Sequence, residues 1–217
     1  MSSPLASLRR WLGRDTAPNL TGRWVVVDTE TSGLDPEHDR LLAIGAVAVD
    51  DDGILLDDSF EIVLKGDRSG DAANIVVHGI GHGAQAAGVP VRGALDAFRA
   101  WAADAPRVGF HTDFDRAVLR VAYAGAGLPA DDRPWLDLAP LAGALVPEAY
   151  RYGGRSLDDW LAAFGIECTI RHNAASDALA TAELLLRLRA IAAKQGTRGF
   201  AALVKAARAQ KWLGNAD

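Results

Sequence analysis

Three apolar runs rich in Val, Ile and Leu lie between residues 24 and 64, each short enough for a strand. They are Trp24 to Asp28, Leu41 to Val49 and Ile54 to Leu64. The last two are joined through Asp50-Asp51-Asp52-Gly53, a hairpin-turn sequence. Three consecutive strands with short or moderate links predict an antiparallel meander. The spacing then changes. Leu95, Phe98 and Trp101 recur at three-residue steps and predict a helix over Val91–Ala103. Arg107–Phe110 predicts a short strand, and Val118, Leu119 and Ala122 share one face of a helix over Phe114–Tyr123. Trp135–Leu138 predicts a further short strand and Leu141–Leu145 a helical turn. Ser156 is an N-cap followed by acidic Asp158 and Asp159, opening a helix to Phe164 that Gly165 stops. Ala174–Ala193 predicts a long helix, and a final helix is expected from about Gly199 to Trp212. This order predicts an α/β fold, a mixed sheet flanked by helices.

The same pattern divides the chain into residues 1–21, a basic leader containing Arg9, Arg10 and Arg14; residues 22–193, the main domain; and residues 194–217, a basic helix expected to pack on that domain. A length of 217 residues suits one domain with an appendage. No apolar run approaches the ~20 residues of a membrane span, and the N-terminus lacks the apolar stretch of a secretory signal. Cys168 is the only cysteine, so no internal disulfide can form. These features predict a cytoplasmic setting and no membrane partner.

Asp28 and Glu30 change the picture. Side chains two apart on a strand share a face, so two carboxylates point the same way beside an apolar run. Two unit charges ~4 Å apart at an effective dielectric near 20 repel by ~4 kcal/mol. A divalent cation removes that repulsion and gains oxygen ligands. The alternative is a solvated strand end beside a turn, and an isolated Asp-x-Glu does not decide between them.

Two later segments do bear on it. One is Val108-Gly109-Phe110-His111-Thr112-Asp113-Phe114-Asp115, ending a strand and opening a helix. The other is His172-Asn173-Ala174-Ala175-Ser176-Asp177-Ala178-Leu179-Ala180-Thr181. With Asp28-Thr29-Glu30-Thr31-Ser32-Gly33-Leu34 they stand in the order and spacing of the three motifs of DEDDh-group 3′→5′ exonucleases. The chain resembles the proofreading (epsilon subunit) family of DNA polymerase III, with oligoribonuclease and RNase T as relatives. The resemblance covers roughly residues 22 to 192 and includes two weaker landmarks, Val77-His78-Gly79-Ile80 and Ser156 to Leu161. It implies a ribonuclease H-like fold with a five-stranded mixed sheet.

The resemblance further implies that Asp28, Glu30, Asp115 and Asp177 hold two Mg²⁺ or Mn²⁺ ions and that His172 is the general base. Phe114-Asp115 matches the motif, which selects Asp115 over its neighbour Asp113. Thr112 stands where the family typically has Asn, which puts one hydrogen bond in doubt. Two such ions ~3.5–4 Å apart would activate a water and clamp the transferring phosphate. The reference pKa of histidine, ~6.5, suits His172 to accept a proton near neutral pH. Thr29, Thr31 and Leu34 are the expected contacts for the terminal nucleotide. His78 either lines the substrate groove or is a turn residue. Phe114 either stacks on a base or packs in the core. The basic residues of the last helix either guide a nucleic-acid backbone or form a solvated face.

The expected reaction is 3′→5′ hydrolysis of single-stranded DNA to nucleoside 5′-monophosphates. Single-stranded nucleic acid is the expected partner, with a DNA polymerase as a further candidate. The alternatives are an exoribonuclease with the same metal site, a catalytically silent polymerase accessory module, and a hydrolase of other phosphodiesters such as dinucleotides. A net charge of −5 argues against broad coating of duplex DNA and fits an enzyme that holds a short piece of strand.

Overall fold

The computed structural model describes residues 22–66, 80–148 and 156–214. The expected leader, the basic residues in it, and His78 lie outside these ranges. Three strands come first: β1 (Trp24–Thr31), β2 (Leu41–Val49) and β3 (Ile54–Val63). They pair antiparallel in sequence order, as the hydrophobic runs predict. β4 (Arg107–Gly109) and β5 (Trp135–Asp137) then add in parallel on the other side of β1, giving the order β3-β2-β1-β4-β5. β1 is therefore central, and it points its C-terminal end to the same sheet edge as β4 and β5.

Both faces of the sheet are covered. Trp24 and Val26 of β1 face a core shared with α4 (Leu138–Leu145), α5 (Leu157–Phe164), α6 (Ala174–Lys194) and α7 (Phe200–Gly214). Val25 and Val27 face the opposite core, built with α2 (Val91–Ala102) and α3 (Asp113–Gly125). Burial on both faces explains why β1 and β2 read as unbroken apolar runs rather than alternating ones. At the edge of the sheet, β3 exposes Asp57 and Glu61, charges that discourage pairing with another chain. Phe200, Leu203 and Ala207 bury one face of α7 in the first core. Among the described residues no helix is long and apolar enough to cross a membrane.

Several boundaries differ from the sequence reading. β1 continues past Asp28 to Thr31, because its pairing with β2 runs on through Glu30↔Ala43 before an irregularity. Both carboxylates therefore project from inside the strand rather than from its end. A five-residue helix, α1 (His82–Ala86), occupies a stretch for which the hydrophobic pattern predicts no element. Its glycine-rich sequence has no apolar period, and it is held instead by the buried Gln85, whose amide donates to the Ile80 carbonyl. α4 starts at Leu138, directly after β5, and is longer than the expected turn. Asp137 caps it by accepting from the Ala139 N–H at 3.0 Å. Pro140 falls in its first turn, where the missing N–H has no intrahelical partner to lose.

One close approach sets the site. Gly45 of β2 pairs with Asp28 of β1. A Cβ on Gly45 would lie 2.1 Å from the Ala174 carbonyl carbon and 2.3 Å from the Ala175 nitrogen. The first turn of α6 thus rests directly on the sheet beside Asp28, an approach that only glycine permits.

Candidate active site

The period of two along β1 assigns its last residues to opposite faces. Asp28 and Glu30 continue the Trp24–Val26 face, toward α6, while Thr29 continues the Val25–Val27 face, toward α3. Asp177 lies in the first turn of α6. One oxygen each from Asp28, Glu30 and Asp177 lie within 4.8 Å of one another, a grouping that could hold a metal ion. Asp115, in the first turn of α3, is buried but lies outside this trio. Thr29 Oγ1 donates to Asp115 Oδ1 at 2.7 Å, so Asp115 is held from the opposite face of the strand that carries the other two. Neighbouring Asp113 is exposed and pairs with Lys211 of α7.

These carboxylates are not comfortable as anions. Burial, followed by repulsion from Asp115, Asp177 and Glu30, holds the Asp28 carboxyl well above the usual carboxylate range. Glu30 is pushed up to about 7, first by burial and then by Asp177. Asp115 is also pushed up to about 7 by burial, against the hydrogen bond from Thr29, which lowers it. Hard oxygen donors gathered at one edge, with their ionisation suppressed by each other and by burial, are the donor set that Mg²⁺ or Mn²⁺ suits.

His172 sits on the turn before α6, with its side chain exposed and its backbone at φ 59°. That left-handed conformation costs a non-glycine residue ~1–2 kcal/mol. It is stabilised by the His172 N–H donating to Asp177 Oδ2 at 2.9 Å. Asn173 then caps α6 by accepting from the Ser176 N–H. His111 also has a positive φ, 56°, and its N–H donates to Asp137 Oδ1 at 3.0 Å, which ties β4 to β5.

Two residues join the site that sequence reasoning missed. Arg171 pairs with both Asp177 and Asp158, and its positive charge partly offsets the repulsion felt by Asp28 and Glu30. Cys168, which entered the sequence reading only through disulfides, places Sγ 3.3 Å from Asp177 Oδ1. The only signal for Arg171 was its position next to His172, and nothing in the spacing announced Cys168.

The candidate substrate contacts separate. Leu34 is 90% exposed on the turn after β1. That turn is braced by Ser32, whose Oγ donates to Asp39 Oδ1, and by the Asp35 N–H, which donates to Asp39 Oδ2. The Thr31 hydroxyl donates to the Gly33 carbonyl. With Thr29 bound to Asp115, both threonine protons are committed within the protein. Phe114 packs partly buried against the core between the sheet and α3.

Thr29→Val tests the brace on Asp115. Without the hydroxyl, Asp115 loses a hydrogen bond that lowers its pKa. The acidic limb of the pH–rate profile should move to higher pH, with a rate loss at pH 7 of about tenfold, the cost of a charge-assisted hydrogen bond of ~1.5 kcal/mol or more. An unmoved acidic limb would contradict this linkage.

The sequence profile of the RNase T exonuclease family matches residues 25–185. The chain is 32% identical over 174 residues to the PolC-type DNA polymerase III of Bacillus subtilis (strain 168), covering 80% of this chain and 12% of the relative. It is 31% identical over 188 residues to a DNA polymerase III subunit epsilon-like protein of Rhodobacter capsulatus, covering 85% of this chain and 26% of that protein. It therefore spans a small part of these relatives. Its fold is similar to that of E. coli exonuclease I, solved with a dT13 oligonucleotide, with a TM-score of 0.68 at 19% identity over 80% of this chain and 42% of the other. The five-stranded mixed sheet is the ribonuclease H-like arrangement expected.

Proposed function

We infer a reaction and a substrate from one premise: the chain belongs to the RNase T exonuclease family. The reaction we propose is 3′→5′ hydrolysis of single-stranded DNA ends, releasing nucleoside 5′-monophosphates. The observation that carries it is the convergence of Asp28, Glu30 and Asp177, far apart in sequence, within 4.8 Å at one sheet edge. Asp28, Glu30, Asp115 and Asp177 would hold two Mg²⁺ or Mn²⁺ ions. When bound, these would neutralise charge around the scissile phosphate and acidify a water.

The chain's own residues do the rest. A ring nitrogen of His172 accepts the proton of the attacking water, and its backbone is fixed to Asp177 so that base and metal ligand keep one geometry. Thr29 orients Asp115. Leu34 offers an unsupported apolar surface against the terminal base. Arg171 balances Asp177 before substrate arrives.

The names of the relatives favour DNA over RNA and support a DNA polymerase as partner. The test is degradation of matched DNA and RNA 20-mers, labelled at the 3′ or the 5′ end, with Mn²⁺. The 3′-labelled DNA should release its label as a mononucleotide in the first turnover, while the 5′-labelled strand yields a descending ladder. Label leaving first from the 5′ end would overturn the direction, faster loss of RNA would overturn the substrate, and no product from either would favour a silent module.

A further inference from the structure

We propose that the outer face of α7, together with Arg116 of α3, is a track for the single-stranded DNA that leads away from the active site. The proposal rests on the nuclease reading above and adds the path of the strand. Lys205, Arg208 and Trp212 are separated by three and then four residues, so they share one face of α7. Lys205 and Arg208 are exposed, and Trp212 is 73% exposed. An indole left in water beside two cations is costly unless something covers it.

This stripe joins the catalytic edge. A cleft of about 110 Å³ is lined by Thr112, Asp113, Arg116, Asp137, Arg208 and Lys211. Thr112 and Asp137 lie just past the C-terminal ends of β4 and in β5, the same edge that carries Asp28 and Glu30 on β1. Lys211 is bound to Asp113, two residues before Asp115, which fixes α7 against the helix that carries this carboxylate. A second cleft of about 430 Å³ shares Asp113, Arg116 and Trp135 with the first and continues along α3.

Arg23, Arg92, Arg107, Arg120, Arg133, Arg171 and Arg189 all pair with carboxylates. Among the described residues, Arg116, Lys205 and Arg208 form no ion pair; nor do Lys65, Arg99, Arg187, Lys194 and Arg198, which lie off this stripe. In a chain of net charge −5, attraction for a polyanion must come from such local groups. Cations at intervals with an interposed aromatic face fit a strand that presents both phosphates and unstacked bases.

The experiment is fluorescence anisotropy of labelled dT20 in EDTA across a salt series, with cleavage of dT20 and of a dinucleotide measured in parallel with Mn²⁺. The proteins are the full chain, the Arg116→Ala/Lys205→Ala/Arg208→Ala variant and Trp212→Ala, each checked by thermal melting. Loss of three phosphate contacts should lower the slope of log K against log salt by about 2, because a single strand contributes ~0.7 per neutralised phosphate. Trp212→Ala should weaken dT20 binding about fivefold or more. Both variants should cleave the dinucleotide at the rate of the parent chain. A triple variant with an unchanged salt slope and unchanged dT20 affinity overturns the track and leaves a protein partner as the occupant of the stripe. Absence of cleavage by the parent chain would instead refute the nuclease reading, while the binding measurement would still decide the track.

Discussion

Asp28→Asn is expected to cut hydrolysis of single-stranded DNA by about three orders of magnitude or more, while making the cation-free protein no less stable at pH 8. The first part follows from chemistry. Asp28 is central to the carboxylate cluster, and transition-state charge stabilisation by bound cations is worth several kcal/mol, at ~1.4 kcal/mol per tenfold in rate. The second part follows from burial. Asp28 is held well above the usual carboxylate range by desolvation and by three neighbouring carboxylates, so its charge opposes folding. An isosteric neutral amide removes that charge and keeps the volume. Steady-state rates with Mn²⁺ and thermal melting in EDTA give the two readouts. A rate within tenfold of the parent, or a melting temperature lowered by many degrees, would mean that Asp28 serves the fold rather than the reaction.

Without divalent cations, the cluster should make the protein less stable as pH rises from about 4 to about 7, and Mn²⁺ should reverse the loss at the upper end. Glu30 and Asp115 are both pushed up to about 7, and Asp28 is raised as well. For an acid raised in the folded state, neither state is ionised below the unfolded value, near 4, and the group costs nothing there. Between the two values the unfolded chain gives up its proton while the folded chain keeps it, so stability falls with pH. Above about 7 both states are ionised and the penalty is complete. Cations need the ionised cluster, so their effect runs the other way. At roughly 100 times its Kd, a cation adds ~2.7 kcal/mol, or ~5–10 °C for a protein of this size. That shift is expected at pH 8 and should nearly vanish at pH 5. Melting curves with Mn²⁺ and with EDTA at both pH values measure it, and Glu30→Gln supplies a reference with part of the cluster neutralised. A melting temperature indifferent to Mn²⁺ at pH 8, or a larger shift at pH 5, would remove the cluster's role as a cation site.

The alternation along Val25-Val26-Val27-Asp28-Thr29-Glu30 was enough to place Asp28 and Glu30 on one face and Thr29 on the other, because strand period is a local property of the backbone. The meander of the first three strands, the Ser156 cap and the αL Gly165 stop were legible for the same reason: each is decided within a few residues. Motif order likewise marked Asp115 rather than Asp113, and the structure buries the first and exposes the second. What those faces would meet was not local. That Thr29 spends its hydroxyl on Asp115, 86 residues away, depends on how α3 crosses the sheet. That Asp177 reaches Asp28 depends on Gly45 letting α6 settle against β2. Arg171 and Cys168 became neighbours of the cluster only through the turn that precedes α6. Sequence alone determined which residues are acidic, in what order, and on which side of each element. Tertiary packing decided which of them share a volume, because contacts between distant segments are set by how whole faces fit together and leave no period in either segment.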